Sequence, residues 1–166
     1  MSSRHDIRAF DYVNHPYERV REALRDDTER VLQQGTRAAA SRAHAVASLL
    51  HVNIGGFEVG TEISLNVSEI DLEPGSGASG ERTRIRLDWK AAKNPRLFPE
   101  MTGVLSVYAL TAKETQLDFE GTYETPLGPL GTAVEAIIGR RIADASVHRF
   151  VTDVAVHLRE TLRSDA

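Results

Sequence analysis

The chain has 166 residues, of which 41% are hydrophobic and 27% charged, with a formal net charge of −4. This is the balance of a globular chain long enough to bury one core, so residues 1–166 are expected to form a single domain. The absence of cysteine excludes disulfides, thiolate metal sites and cysteine nucleophiles, and the acidic balance argues against general nucleic-acid binding.

Ile7 and Ala9 alternate with Arg8, Phe10 and Tyr12, which predicts a first strand. Asn14-His15-Pro16 ends it, and Pro16 suits the first turn of a helix. Val20, Ala23, Leu24 and Val31 then recur at helical spacing, Gly35 interrupts them, and an Ala-rich run reaches about Ser48. Two short helices with a bend between them at Gly35 are expected. From Leu50 the period changes to two. Leu50, Val52 and Ile54 lead to the hairpin signal Gly55-Gly56, and Phe57 and Val59 resume the alternation. Ile63, Leu65 and Val67 carry it on, but Ile70 and Leu72 have the opposite parity, so a bulge is predicted at Ser68 or Glu69. Residues 74–80 read as an exposed loop, followed by the alternation Ile85, Leu87, Trp89.

Pairing these two strands matches Leu65 with Leu87, Ile63 with Trp89 and Val67 with Ile85, and on the other face Glu69 with Arg84 and Asp71 with Arg82. Residues 94–100 form a loop. Val104 to Leu110 is apolar on both faces apart from Ser106, as in a covered central strand. In the next strand Leu117, Phe119, Gly121 and Tyr123 face one way, with Gln116, Asp118, Glu120 and Glu124 facing the other. After the turn residues 125–131, the stripe Leu130, Val134, Ile137, Ile138, Ile142 and Ala145, extended by Val151, Val154, Ala155, Leu158 and Leu162, predicts one helix. At about 30 residues it would be ~45 Å long, enough to cross a whole sheet.

The predicted class is α+β: a curved antiparallel sheet of six or seven strands wrapped on a long C-terminal helix. This order resembles the helix-grip fold of the START-related superfamily (SRPBCC), which includes polyketide cyclases and lipid-transfer domains. Gly121-Thr122-Tyr123-Glu124-Thr125-Pro126-Leu127-Gly128 and the stretch Trp89 to Met101 with its Phe98-Pro99 are similar to segments of bacterial members. Such members often carry two prolines before the Leu-Gly; here the first is Thr125. No catalytic residue carries over. The resemblance implies a cavity between sheet and last helix that holds a small hydrophobic ligand.

The chemistry-bearing residues point the same way. His5, His15, His44, His51, His148 and His157 include no helical metal-binding pair, and no metal or cofactor is expected. Ser106 and Ser146 lie in no nucleophile motif, and Gly128 to Gly131 lacks a phosphate-loop fingerprint. Arg82, Arg84, Arg86 and Lys90 read as a solvated strand face opposite Glu69 and Asp71.

The candidate ligand cavity is formed by Ile63, Leu65, Leu87, Trp89, Leu117, Phe119 and Tyr123 on the sheet, facing Val134, Ile138, Ile142 and Ala145 on the helix. Small residues at Gly121 and Ala145 are expected to leave room there, and Tyr123 is the inward residue with a polar tip that would orient a ligand. Two other readings stand beside ligand binding. One is an enzyme of the cyclase or dehydratase kind. The other is an interaction module with a filled core, whose outer patch of Val104, Tyr108 and Leu110 would serve a homodimer. No run approaches the ~20 apolar residues of a membrane span, and Met1 to Asp6 opens no signal peptide, so a cytoplasmic location is expected. The sequon Asn66-Val67-Ser68 is therefore read as chance.

Overall fold

A computed structural model describes the backbone of residues 4–49, 63–73, 81–91, 100–124 and 133–164. It describes their side chains except at 29, 40–49, 63–73, 90–91 and 133–139. The elements run β1 (Arg4–Val13), α1 (Tyr17–Leu49), β2 (Ile63–Glu73), β3 (Arg82–Ala91), β4 (Glu100–Thr111), β5 (Glu114–Glu124) and α2 (Ala133–Ser164). The five strands form one antiparallel sheet in the order β1-β5-β4-β3-β2. The strands expected at 50–54 and 57–59 lie outside the described residues. Among the described residues no helix is long and apolar enough to cross a membrane.

Alternation sets the two sheet faces. Ile7, Ala9 and Val13 of β1, Ile85, Leu87 and Trp89 of β3, Leu105 and Val107 of β4, and Leu117, Phe119 and Tyr123 of β5 are all buried on the inner face. α1 adds Val20, Leu24, Val31 and Leu32 to the same core, and α2 adds Ala143, Val147, Phe150, Val151, Val154, Ala155, Leu158 and Leu162. The long C-terminal helix is present as expected, at 32 residues.

α1 starts where its proline suggests. The Pro16 carbonyl accepts the bond from the Val20 amide (3.2 Å), and Thr115 of β5 anchors the approach by donating to the His15 carbonyl (2.8 Å). Tyr17, buried on the first turn, shares a 2.7 Å hydrogen bond with Thr83 of β3.

Three expectations are corrected. The helical region after β1 runs over 33 residues, and its break lies at Asp27, whose backbone is non-helical (φ −142°, ψ 35°), not at Gly35. Gly35 is instead where the helices meet. A Cβ built there would stand 2.9 Å from Phe150 Cδ2 and 3.0 Å from Val154 Cγ2, so only glycine lets α2 come this close. The bulge between Val67 and Glu69 is present, but the β2–β3 register differs by two residues. Leu65 pairs with Trp89, Val67 with Leu87, Glu69 with Arg86 and Asp71 with Arg84. A slip of two preserves every inward and outward assignment, because side chains alternate with period two. Finally, β4 is central but is not covered on both faces. Leu105 and Val107 are buried, whereas Val104 and Tyr108 are half-buried and Leu110 is exposed. The Arg82 guanidinium lies over the Tyr108 ring at 4.8 Å, so a charged neighbour's stem supplies the partial cover.

Candidate functional site

The register lines up one row across the inner face: His5 beside Tyr123, Tyr123 beside Met101, Met101 beside Trp89, and Trp89 beside Leu65. α2 lies over this row. Trp89 meets Phe150 edge-on (ring centroids 4.9 Å apart, 85° between planes) and Phe119 likewise (5.4 Å, 61°). Phe119 and Phe150 are themselves 6.4 Å apart, so the three rings form a closed triangle between sheet and helix. The Trp89 indole N–H donates to Thr36 Oγ1 (3.0 Å), and Thr36 donates on to the Leu32 carbonyl (2.8 Å). This ties α1 to the same cluster.

The described part of the interior is tightly packed. A gap of about 10 Å³ remains among Thr36 and Ala39 of α1, Trp89 and Met101 of the sheet, and Ser146, Val147 and Phe150 of α2. That is about the room one water needs. Leu87, Leu117 and Phe119 are fully buried and serve as core; Trp89 lines the gap; Ile142 is buried on α2. The side chains of Ile63, Leu65, Val134 and Ile138 are outside the described set.

Gly121 does not leave space for a ligand. A Cβ there would lie 2.5 Å from the Thr102 carbonyl oxygen and 3.0 Å from Phe119 Cζ, and at its cross-strand partner Gly103 the same ring atom would be 2.3 Å away. The Phe119 ring lies over both glycines and fills that room itself, as aromatic side chains do over glycines in sheets. Ala145 is only half-buried.

Tyr123 is the unusual member. It is 1% exposed, and its hydroxyl is the one buried side-chain polar atom without a hydrogen-bond partner among the described residues. Burial pushes its pKa up; Asp144 on α2 pushes it further in the same direction and Arg140 opposes it, so the phenol is held neutral under the first half of α2. His5 stacks on the Tyr123 ring at 5.3 Å with 30° between planes and is half-buried on the inner face. His5 is the functional candidate that sequence reading missed. The alternation that starts at Ile7, extended back by one step, puts His5 on the inward side with Ile7 and Ala9.

A wider cleft of about 340 Å³ opens between the outer surfaces of the helices, lined by Gln34, Arg37, Asp153, Val156, His157 and Glu160. Its mixed charges face solvent and do not suit an apolar molecule. Burial pushes the Asp153 carboxyl up there, against the pull of Arg149 and His157. Among the described residues no three His, Asp or Glu side chains converge as a metal site requires.

No protein-family model matches this chain, and no curated protein matches it. Solved structures do. The Zhui aromatase/cyclase from Streptomyces sp. R1128 aligns over 99% of this chain and 99% of its own, at 11% identity and a TM-score of 0.50. A conserved protein from Geobacillus kaustophilus aligns over 95% and 97% of the two chains, at 9% identity and a TM-score of 0.48. Ara h 8.0201 aligns over 94% and 98%, at 8% identity and a TM-score of 0.39. With its antiparallel sheet closed by a long C-terminal helix, this chain shares the fold of the Zhui aromatase/cyclase, which is the helix-grip arrangement expected from the order of its elements.

Proposed function

We propose that this protein is a single-domain, cytoplasmic binder of a small apolar or amphipathic molecule, held between the inner sheet face and α2. The observation that carries this reading is the buried hydroxyl of Tyr123, which has no hydrogen-bond partner among the described residues. A buried hydroxyl without a partner costs about 1–3 kcal/mol, and a ligand oxygen that reaches it removes that cost. Met101 and Trp89, with Phe150 above them, border a gap of only about 10 Å³, so a ligand that meets their aromatic and thioether surface must displace side chains there. The aromatase/cyclase of like fold supports a pocket of this kind.

The test uses an anilinonaphthalene dye and its displacement by 2-naphthol or naphthalene. Wild-type protein takes up one dye per chain, and 2-naphthol displaces it better than naphthalene does. Tyr123→Phe removes that preference, with a loss of about tenfold for the oxygenated probe only. In the ligand-free protein the same substitution leaves stability unchanged or raised, because it deletes an unpartnered group. Wild-type protein that takes up no dye has a filled core, and the interaction-module reading then replaces ligand binding.

A second reading, an enzyme of the cyclase or dehydratase kind, is favoured by one feature: the ionisable His5 ring lies against Tyr123. A phenol and an imidazole in one pocket can give and take a proton from a bound carbonyl compound. A pH profile of turnover that is lost in His5→Gln, with dye binding retained, would separate this reading from simple binding.

A further inference from the structure

We propose that the free edge of β1 is a strand-pairing surface for a second copy of this chain, giving an antiparallel homodimer with one continuous sheet. β1 is the outermost described strand on its side, paired with β5 alone through ten residues without a register break. The direction of its backbone groups is fixed at Tyr12. The Tyr12 amide donates to Asp11 Oδ1 (2.7 Å) and the Tyr12 carbonyl accepts from Arg159, so both turn away from β5. Backbone groups in a strand alternate sides, so those of Arg4, Asp6, Arg8 and Phe10 also point to the open edge. Arg159 and Asp11 close that edge at Tyr12. From Arg4 to Phe10 it has no proline and no bulge, and the charges it carries, on Arg4, Asp6 and Arg8, are of both signs.

The charge pattern selects the occupant. Read against itself in reverse, Arg4-His5-Asp6-Ile7-Arg8-Ala9-Phe10 sets Asp6 opposite the partner's Arg8 and Arg4 opposite the partner's Phe10. The two-fold axis passes through Ile7, and each contact occurs twice. Asp6 has no ion-pair or hydrogen-bond partner within the described chain, and Phe10 is 68% exposed, high for a phenylalanine on a strand. Pairing gives the carboxylate a cation and the ring a guanidinium. Arg8, already held by Asp118 at 2.7 Å and Glu120 at 3.3 Å, keeps 63% of its side chain exposed, so the partner's Asp6 can reach it from the open side as a third carboxylate.

Sedimentation velocity across a concentration series tests this with the full chain. Wild-type protein should show a monomer–dimer equilibrium. Asp6→Arg, at a side chain with no hydrogen bond or ion pair among the described residues, should raise the dimer dissociation constant at least about tenfold by placing like charges together twice. Arg8→Asp should do the same. An equimolar mixture of the two variants should dimerise again, because each chain then supplies what the other needs. Circular dichroism confirms that each variant is folded. Because the chain has no cysteine, Ile7→Cys adds a single thiol at the two-fold axis, and oxidation should link two chains. A wild type that stays monomeric at every concentration overturns the proposal. So does a dimer that survives Asp6→Arg, which would place the interface on the outer patch around Leu110, and so does a mixture that fails to re-form dimers while both variants are folded.

Discussion

The two faces of this sheet come from the same strands, one residue apart, and they hold together by different physics. On the inner face Trp89, Phe119 and Phe150 make a dry triangle in which every ring is another's wall. On the outer face long side chains pair across strands: Arg8 donates to both Asp118 oxygens (3.2 and 2.7 Å) and lies 3.3 Å from Glu120, while Arg4 meets Glu124 at 2.9 Å. Removing an inner group leaves a hole that cannot collapse, whereas an outer group that loses its partner turns to water. Asp118 lies between these cases: it sits on the outer face, yet only 10% of its side chain is exposed.

Variants can break that comparison. Phe150→Ala removes the ring shared by Trp89, Phe119 and Gly35 and should cost about 3–5 kcal/mol by urea unfolding. A loss under 1 kcal/mol would mean that the triangle is not the centre of the core. Gly35→Ala sets two terms against each other. Alanine gains about 1 kcal/mol of helix propensity over glycine. Its methyl group, however, pushes on a Phe150 ring already boxed in by two others, so a net loss of stability is expected. A gain would show that Phe150 can move.

On the outer face, Asp118→Ala should cost about 1 kcal/mol, because the buried carboxylate organises its neighbours. Arg4→Ala, at an exposed pair, should change stability by no more than about 0.5 kcal/mol and less still in high salt. Equal effects would erase the distinction between the two sites.

The smallest effect is at Asp153. Its carboxyl titrates above the usual value of 3.8 in the folded chain because burial disfavours the anion. The folded state therefore holds the proton more tightly, and stability falls as pH rises from 3.8 through the raised value. Asp153→Asn should melt slightly higher than wild type at neutral pH and show a flatter stability profile across that acid window. A lower melting point at neutral pH would mean that the charged form is favoured by contacts in the cleft.

The sequence showed the faces more clearly than the partners. Ile7 and Ala9 inward with Phe10 and Tyr12 outward, the slip between Val67 and Ile70, and the long terminal helix follow from period alone, and all are present. Period alone cannot tell a register from one slid by two residues. Leu65 therefore matches Leu87 by period as well as it matches Trp89, its partner in the sheet. Gly35 has two readings, a break or a close approach, and only the position of Phe150 decides between them. A stripe that passes from Ala145 directly to Val151 leaves Phe150 out. The signal was there, since Ala143, Val147, Phe150 and Val154 are three or four residues apart and all buried. At the site, Tyr123 is legible as the inward polar residue, but its lack of a partner among the described residues and the His5 ring against it depend on three-dimensional neighbours.

Trp89 is the only indole in the chain, and it is fastened to three layers at once: by its N–H to α1, through its own strand to the sheet, and edge-on to α2. The protein therefore carries its own optical gauge. Loosening any one layer changes either the hydrogen bond that tunes the indole's emission or the rings that shield it from solvent. A single wavelength, followed without labels, reports whether helix, sheet and helix open together or one at a time.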